Sequence, residues 1–531
     1  VELVNKVGQY SGNPQSPTKI VDSIHTHKRG EQRDAVAWLA QHSTFFGDST
    51  NPGFMRPGAG HQHITSQVSH WGSDAPEVGP IHPFLCFYGN AQGRFGLSGS
   101  VEMRESHTDP PTHPVHALQD SAQLRSDLNR ATAEVFRTEL TLDNLGRTLR
   151  LRVGRLEASA PPVDDVSADY REAMASLPTL DEQGDGMRSL LGILLPLITA
   201  SYPLIVIDEP EAFLHPPQAH ALGRQLGLLA ASRQVQVIVA THDKDFLAGL
   251  LESDAPVSVV RLTRDRTGVH AHQLVQDKVR ELWTDPVLRY TNVLDGLFHR
   301  LVVLAEAEGD CSYLSAALDA WDSQARGDTT VATNEVLFLP TGGKGGMTKV
   351  ARALSAVRVP VVAAPDLDVL AEKSVLKALV EAVGGSWTAD MEANYDSATR
   401  DLRGSGDTVK VGSVLDAINE LLSQRRDEDY TAPIKEQVKT QLRSGSGPWA
   451  HVKQFGLSAF KGEAAPAVRT LLSLLEAQRV VPVHEGELES LAPEIAAAKG
   501  PGWLPEALAQ AAFQNSATQK HVARILDAGL S

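Results

Sequence analysis

Two hydrophobic patterns alternate along this chain. Short aliphatic runs stop abruptly at polar residues, and longer segments carry apolar residues on one helical face. Leu204-Ile-Val-Ile207 runs straight into Asp208-Glu209, and Val235-Gln-Val-Ile-Val-Ala240 runs into Thr241-His242. Such runs predict strands buried on both faces, as in a parallel sheet. Residues 118–136 read as an amphipathic helix. Glu139-Leu-Thr-Leu142 and Thr148-Leu-Arg-Leu-Arg-Val153 flank a turn at Asp143–Gly146, and their alternation predicts a hairpin. On its second strand Arg150 and Arg152 share one face, as a solvated edge or a phosphate contact. Ser189 to Ile207 carries no charge, but Pro196 and Pro203 interrupt it, so a helix followed by a strand explains it better than a membrane span.

A second alternation begins at Leu301. Strands are expected at 301–306, 336–339, 359–364 and 480–483, and helices at 312–321, 349–357, 374–383 and 466–479. Strand–helix alternation implies a mostly parallel sheet. Residues 385–465 are polar and largely helical, with glycine–serine breaks at Gly404–Asp407 and Ser444–Pro448. Residues 1–110, rich in Gly, His, Pro and Ser, suggest short strands and long loops. The expected division is an α/β unit over 1–275, a helical connector over 276–300, and a second α/β unit over 301–531 with a helical insertion at about 385–465.

Composition narrows the chemistry. Of 531 residues, 42% are hydrophobic and 21% charged, as in ordinary globular proteins. Two cysteines, Cys86 and Cys311, leave no disulfide scaffold or cysteine-rich zinc site and fit a cytoplasmic setting. The formal net charge of -16 leaves nucleic-acid binding to a local basic surface. His25, His27, His61 and His63 lack an acid or cysteine at ligand spacing and read as solvated loop residues.

Adjacent acids at the end of a buried strand repel each other unless a cation offsets them, although they could also cap the next helix. Asp208-Glu209, then His242 at the next strand end, with Gly184-Asp-Gly-Met-Arg-Ser189 upstream, resemble the Walker B, histidine and signature segments of ABC-type ATPases. The resemblance implies that Asp208 holds Mg²⁺, Glu209 orients or deprotonates water, and His242 contacts the γ-phosphate of ATP. Gly184, Gly186 and Ser189 would complete the ATP site of a partner copy, so a homodimer or higher oligomer follows. No G-x-x-x-x-G-K-[ST] loop is present. It is expected upstream of Val1, the alternative being a degenerate ATP site.

In the second block, Glu306 and Asp310 follow the first strand, and Asp366-Leu-Asp368 follows the third. In an extended segment D-x-D spacing puts both carboxylates on one side, a hard-oxygen pocket for Mg²⁺ or Mn²⁺. With the intervening Gly342-Gly-Lys-Gly-Gly346 loop, the arrangement resembles a Toprim domain. That likeness implies Glu306 as general acid/base and Asp310, Asp366 and Asp368 as metal ligands. Ala307 stands where the family usually has glycine. An ATPase half followed by a Toprim half resembles the OLD (overcoming lysogenization defect) family of ATP-dependent nucleases. Val481-Pro-Val-His-Glu-Gly-Glu-Leu-Glu489 looks like its late G-E-L-E segment and would add Glu489 to the metal site. Lys344 or Lys453 would meet the scissile phosphate. The resemblance implies an ATP-regulated, metal-dependent DNA endonuclease or nickase, acting in defence against phages, with a helicase or sensor protein as a compatible partner and no membrane role. The rival readings are a RecF- or SMC-like DNA-binding ATPase with an inactive Toprim-like domain, a strand-passing or priming enzyme, and a non-enzymatic scaffold.

Overall fold

The computed structural model describes residues 43–47, 52–56, 60–63, 84, 86–106, 108–162, 165–265, 268–274, 276–289, 292–324, 333–402, 411–423, 448–495 and 502–530, with isolated positions between 425 and 438 and at 500. His25 and His27 lie outside the described residues. The chain forms two compact units, Val1–Trp283 and Thr284–Ser531.

The first unit begins with an antiparallel ribbon of β1 (Thr44–Gly47), β2 (Pro52–Arg56) and β3 (Gly60–His63). Its core is a parallel sheet in the order β4 (Cys86–Gly89), β8 (Leu204–Asp208), β9 (Gln236–Ala240). The register sets Ile207 opposite Val239 and Asp208 opposite Ala240, so both aliphatic runs end at the same edge. Helix α1 (Ala91–Leu97) follows β4. A small antiparallel sheet carries β5 (Val101–Glu102), β6 (Leu140–Asp143) and β7 (Thr148–Val153), the expected hairpin. The single helix expected over 118–136 is two, α2 (Pro114–Asp120) and α3 (Ala122–Phe136). Ser121 breaks it by adopting an extended backbone and accepting the Leu124 N–H on its hydroxyl. Helices α4 (Ala168–Ser176), α5 (Asp185–Ile198), α6 (Pro216–Arg233) and α7 (Lys244–Glu252) follow, and then a hairpin of β10 (Val260–Asp265) and β11 (Gly268–Gln273). The uncharged stretch becomes α5 and β8, with Leu190–Ile198 buried. Among the described residues no helix is long and apolar enough to cross a membrane.

Short helices over Gln276–Thr284 and Pro286–Arg289 lead to the second unit. Its parallel sheet runs in the order β13 (Val336–Pro340), β12 (Leu301–Ala305), β14 (Val361–Ala363). Every residue of β12 is fully buried. Helices α8 (Glu308–Gln324) and α9 (Lys344–Ala356) start four and five residues earlier than apolar periodicity indicates. Their first turns carry the acids and glycines that the strand ends present. Helices α10 (Lys373–Ala382), α11 (Ala389–Thr399), α12 (Val411–Ser423), α13 (Pro448–Phe455), α14 (Ala464–Glu476), α15 (Trp503–Ala509) and α16 (Ser516–Leu530) complete the unit. Beyond α14 the expected strand is a short parallel bridge beside β14. There the Val481 N–H donates to Ala363 O at 2.7 Å and the Val483 N–H to Pro365 O at 3.0 Å.

Candidate active site

Glu306 emerges where β12 ends. Past the end of β14, Asp366 opens a 3-10 turn, Leu367–Ala371, whose first turn carries Asp368. The D-x-D segment is therefore a turn rather than the extended strand that its spacing suggests. The two carboxylates converge all the same, and one oxygen each from Glu306, Asp366 and Asp368 lies within 4.8 Å of the others.

Backbone donors fix this group. The Asp366 N–H points at Glu306 Oε1 (3.4 Å), and the Leu488 N–H donates to Asp366 Oδ1 (3.2 Å). Gly486, at φ 115°, accepts the Leu367 N–H at 2.7 Å. A Cβ on Gly486 would lie 2.1 Å from Lys453 O, so glycine is what lets α13 approach. That approach places Lys453 Nζ 2.8 Å from Asp366 Oδ2 and 3.7 Å from Asp368 Oδ2. From the opposite side, Gly342 and Gly343 (φ 69° and 106°) turn the chain into α9, and Lys344 Nζ lies 2.7 Å from Asp368 Oδ1. That contact is one of charge rather than an aligned hydrogen bond, so Asp368 Oδ1 keeps an unmet lone pair.

Three carboxylates face two ammonium groups, a net of one negative charge. Burial first, and then repulsion from Asp366, raises the Glu306 carboxyl above the usual range. For Lys453 burial opposes the charge, but the hydrogen bond to Asp366 and the surrounding acids outweigh it and hold the ammonium above the usual lysine range. Hard oxygen donors with an unmet lone pair suit Mg²⁺ or Mn²⁺. Asp310 and Glu489 do not join this group. Asp310 Oδ2 accepts the Ala307 N–H at 2.9 Å, at the start of α8. Glu489 sits in the turn Leu488–Leu491 and lines a cavity of about 500 Å³ with Glu485, Glu487 and Trp503. The five carboxylates read from sequence thus narrow to three in this structure.

In the first unit Asp208 and Glu209 are exposed at the end of β8. Glu209 has φ 47°, and its N–H donates to Ala240 O at 2.9 Å. Two residues not singled out by sequence organise this edge. Arg94 of α1, 1% exposed, donates to the carbonyls of Asp208 (2.9 Å) and Glu209 (3.0 Å). Burial lowers its pKa, and Asp208, Glu211 and Glu209 work against that shift. Gly192 of α5 packs against the Arg94 backbone, where a Cβ would lie 2.2 Å from Arg94 O. Glu211, 8% exposed, accepts the Thr241 hydroxyl (2.8 Å) and the His242 N–H (3.3 Å). The His242 Nδ1 lies 3.5 Å from Glu211 Oε1 and 3.6 Å from Glu209 Oε1. The signal for Glu211 is its place two residues beyond Glu209; Arg94 lies in a stretch read as loop. Gly184 caps α5 in open space, and a Cβ on Gly186 would lie 2.6 Å from Phe213 O, so Gly186 packs against the segment after β8. Ser189 departs from the expected nucleotide role. It is fully buried, its hydroxyl lacks a partner, and its position over a helical turn beyond Gly184 turns it into the core.

Residues 107–248, which include Asp208, Glu209 and His242, match the family model described as "AAA domain, putative AbiEii toxin, Type IV TA system". The Old nuclease of Escherichia phage P2 is 26% identical over 176 residues, 32% of this chain and 28% of that protein. The OLD nuclease of Thermus scotoductus is 29% identical over 221 residues, 40% of this chain and 40% of that protein. The chain thus matches well under half the length of either relative. Both bear the name to which the motifs point. A solved SMC head bound to the C-terminal winged-helix domain of ScpA shares 10% identity at a TM-score of 0.28, over 43% of this chain and 66% of that chain.

Proposed function

We propose that this chain, a relative of the OLD nucleases, is the ATP-linked, metal-dependent nuclease that such kinship suggests, cutting the DNA backbone at Glu306, Asp366 and Asp368. The observation that carries this reading is the convergence of three carboxylates and two lysines at the carboxyl edge of a buried parallel sheet. A divalent ion held there would polarise a phosphodiester and lower the pKa of bound water. Asp366 and Asp368 are its ligands in this reading. Glu306, with its raised pKa, takes the proton from water or returns one to the leaving oxygen. Lys344 and Lys453 are cations that can exchange a carboxylate for a phosphate oxygen as substrate arrives. Asp310 and Glu489 would serve a second ion only after a rearrangement.

The second unit is read as Toprim-like and the first as the ATP-dependent regulator. ATP and Mg²⁺ bind beside Asp208, Glu209 and His242, and the Gly184–Gly186 turn of a second copy closes the site. Defence against phages, with or without a helicase or sensor partner, is the biological role proposed from the family resemblance of the motifs. One observation favours a rival: the lysine–acid pairs also suit a metal-silent domain on an SMC-like ATPase. Supercoiled plasmid incubated with Mn²⁺ or Mg²⁺ separates the two. The wild type should nick or linearise it, EDTA should stop the reaction, and Glu306→Gln should slow it by about 10²–10⁴-fold. An inert wild type, or equal cutting by the variant, refutes the nuclease reading.

A further inference from the structure

The first unit holds a basic pocket away from the β8 edge. It has a volume of about 250 Å³ and lies between the β6–β7 turn and α4. Asp143, Thr148, Arg150, Arg152, Arg171 and Met174 line it. Arg152 is a fixed strut. Its Nε donates to Asp143 Oδ2 at 2.8 Å and its Nη1 to Leu177 O at 2.6 Å, tying the hairpin to the end of α4. Asp143 is itself buried, so that pair cancels its own charge. Arg150 donates to the Thr148 hydroxyl at 2.8 Å, which aims its guanidinium without neutralising it. Arg171 is exposed on α4. Among the described residues no carboxylate forms an ion pair with Arg150 or Arg171. The pocket therefore carries two uncompensated positive charges on a chain whose formal net charge is -16. Packing does not require this, since Arg152 already joins the elements and Met174 fills the floor.

We infer that Arg150 and Arg171 hold a backbone phosphate of DNA, making this hairpin a second, sequence-independent foothold for the substrate. The inference rests on the nuclease reading. Guanidinium forks match phosphate oxygens, and Thr148 can add a hydroxyl donor. Such contacts position a duplex without reading its sequence.

The test is the salt dependence of binding of a fluorescent duplex to the full chain, with catalysis blocked by EDTA. Arg150→Ala/Arg171→Ala should flatten the plot of log Kd against log salt by about 0.9, because the two guanidiniums neutralise one phosphate and each phosphate neutralised adds about 0.9 to that slope. Affinity at low salt should fall, while Mn²⁺-dependent cleavage at saturating DNA stays at the wild-type rate. Circular dichroism melting checks that the variant folds, and Arg150→Lys/Arg171→Lys should restore most of the slope. An unchanged slope in a folded variant that still cuts refutes the foothold and leaves the nuclease reading intact. A wild type that neither binds nor cuts DNA overturns both. If the double variant instead loses a fluorescent ATP analogue and keeps its DNA slope, the phosphate belongs to nucleotide and the assignment to DNA fails.

Discussion

Replacing Lys453 by methionine isolates the electrostatics of the acid group. The substitution keeps the length and apolar stem of the side chain and removes its charge. Lys453 Nζ sits 2.8 Å from Asp366 Oδ2, with side-chain exposures of 30% and 11%. Breaking a fully buried pair costs about 3–5 kcal/mol, and an exposed pair contributes about 0–1. Partial exposure places this pair between them, at about 1–3 kcal/mol. For a unit of this size that corresponds to a fall in Tm of about 2–10 °C in EDTA. The same change takes the group from one net negative charge to two, which favours a dication. A tenfold gain in Mn²⁺ affinity would return about 1.4 kcal/mol. Scanning fluorimetry should therefore show Lys453→Met melting below wild type in EDTA, with a larger upward shift on adding Mn²⁺. Lys461→Met, at an exposed position, should change neither value. Equal melting in EDTA and no Mn²⁺ response in either protein would refute the argument.

Three further outcomes are expected. Gly249→Val should destabilise the first unit by about 1–3 kcal/mol or more in urea unfolding, because a Cβ there would lie 1.9 Å from His220 O between α6 and α7. Glu211→Ala removes the acceptor for the Thr241 O–H and the His242 N–H, so it should cost about 1–3 kcal/mol, with partial recovery in Glu211→Gln. His521 is buried and neutral, its pKa lowered by burial and then by Arg524 and His484. A depressed histidine stabilises the fold above its unfolded pKa, and that contribution is lost as pH falls below about 6.5. His521→Gln should therefore flatten the acid side of the stability–pH profile, by up to about 1.4 kcal/mol per pH unit, in denaturant titrations at several pH values.

The legible parts of this molecule were those dictated by short-range pattern. Aliphatic runs gave β8, β9, β12 and β13, although only β8 and β12 are buried along their length while β9 is half-buried, and polar residues after β8, β9 and β12 marked the sheet edges where Asp208, His242 and Glu306 emerge. Asp366 and Asp368 were legible because two residues of spacing keep them together in a turn as well as in a strand. What was not legible depends on contacts distant in sequence. Lys453 reaches the acids only because Gly486, more than thirty residues on, lacks a side chain. Arg94 is held at β8 across more than a hundred residues. Local capping escaped too: Ser121 divides a helix that apolar periodicity joins. Asp310 follows Glu306 at family spacing, yet it accepts the Ala307 N–H. Ser189 follows the glycines in sequence but is carried by the helical turn into the core.

The most direct test of the metal centre is a crystal soaked in Mn²⁺, with diffraction recorded at the manganese edge. The account predicts an anomalous peak within bonding distance of Glu306, Asp366 and Asp368, with Lys344 and Lys453 withdrawn from the carboxylates. No peak there at saturating Mn²⁺, or peaks only at other carboxylates, would contradict it.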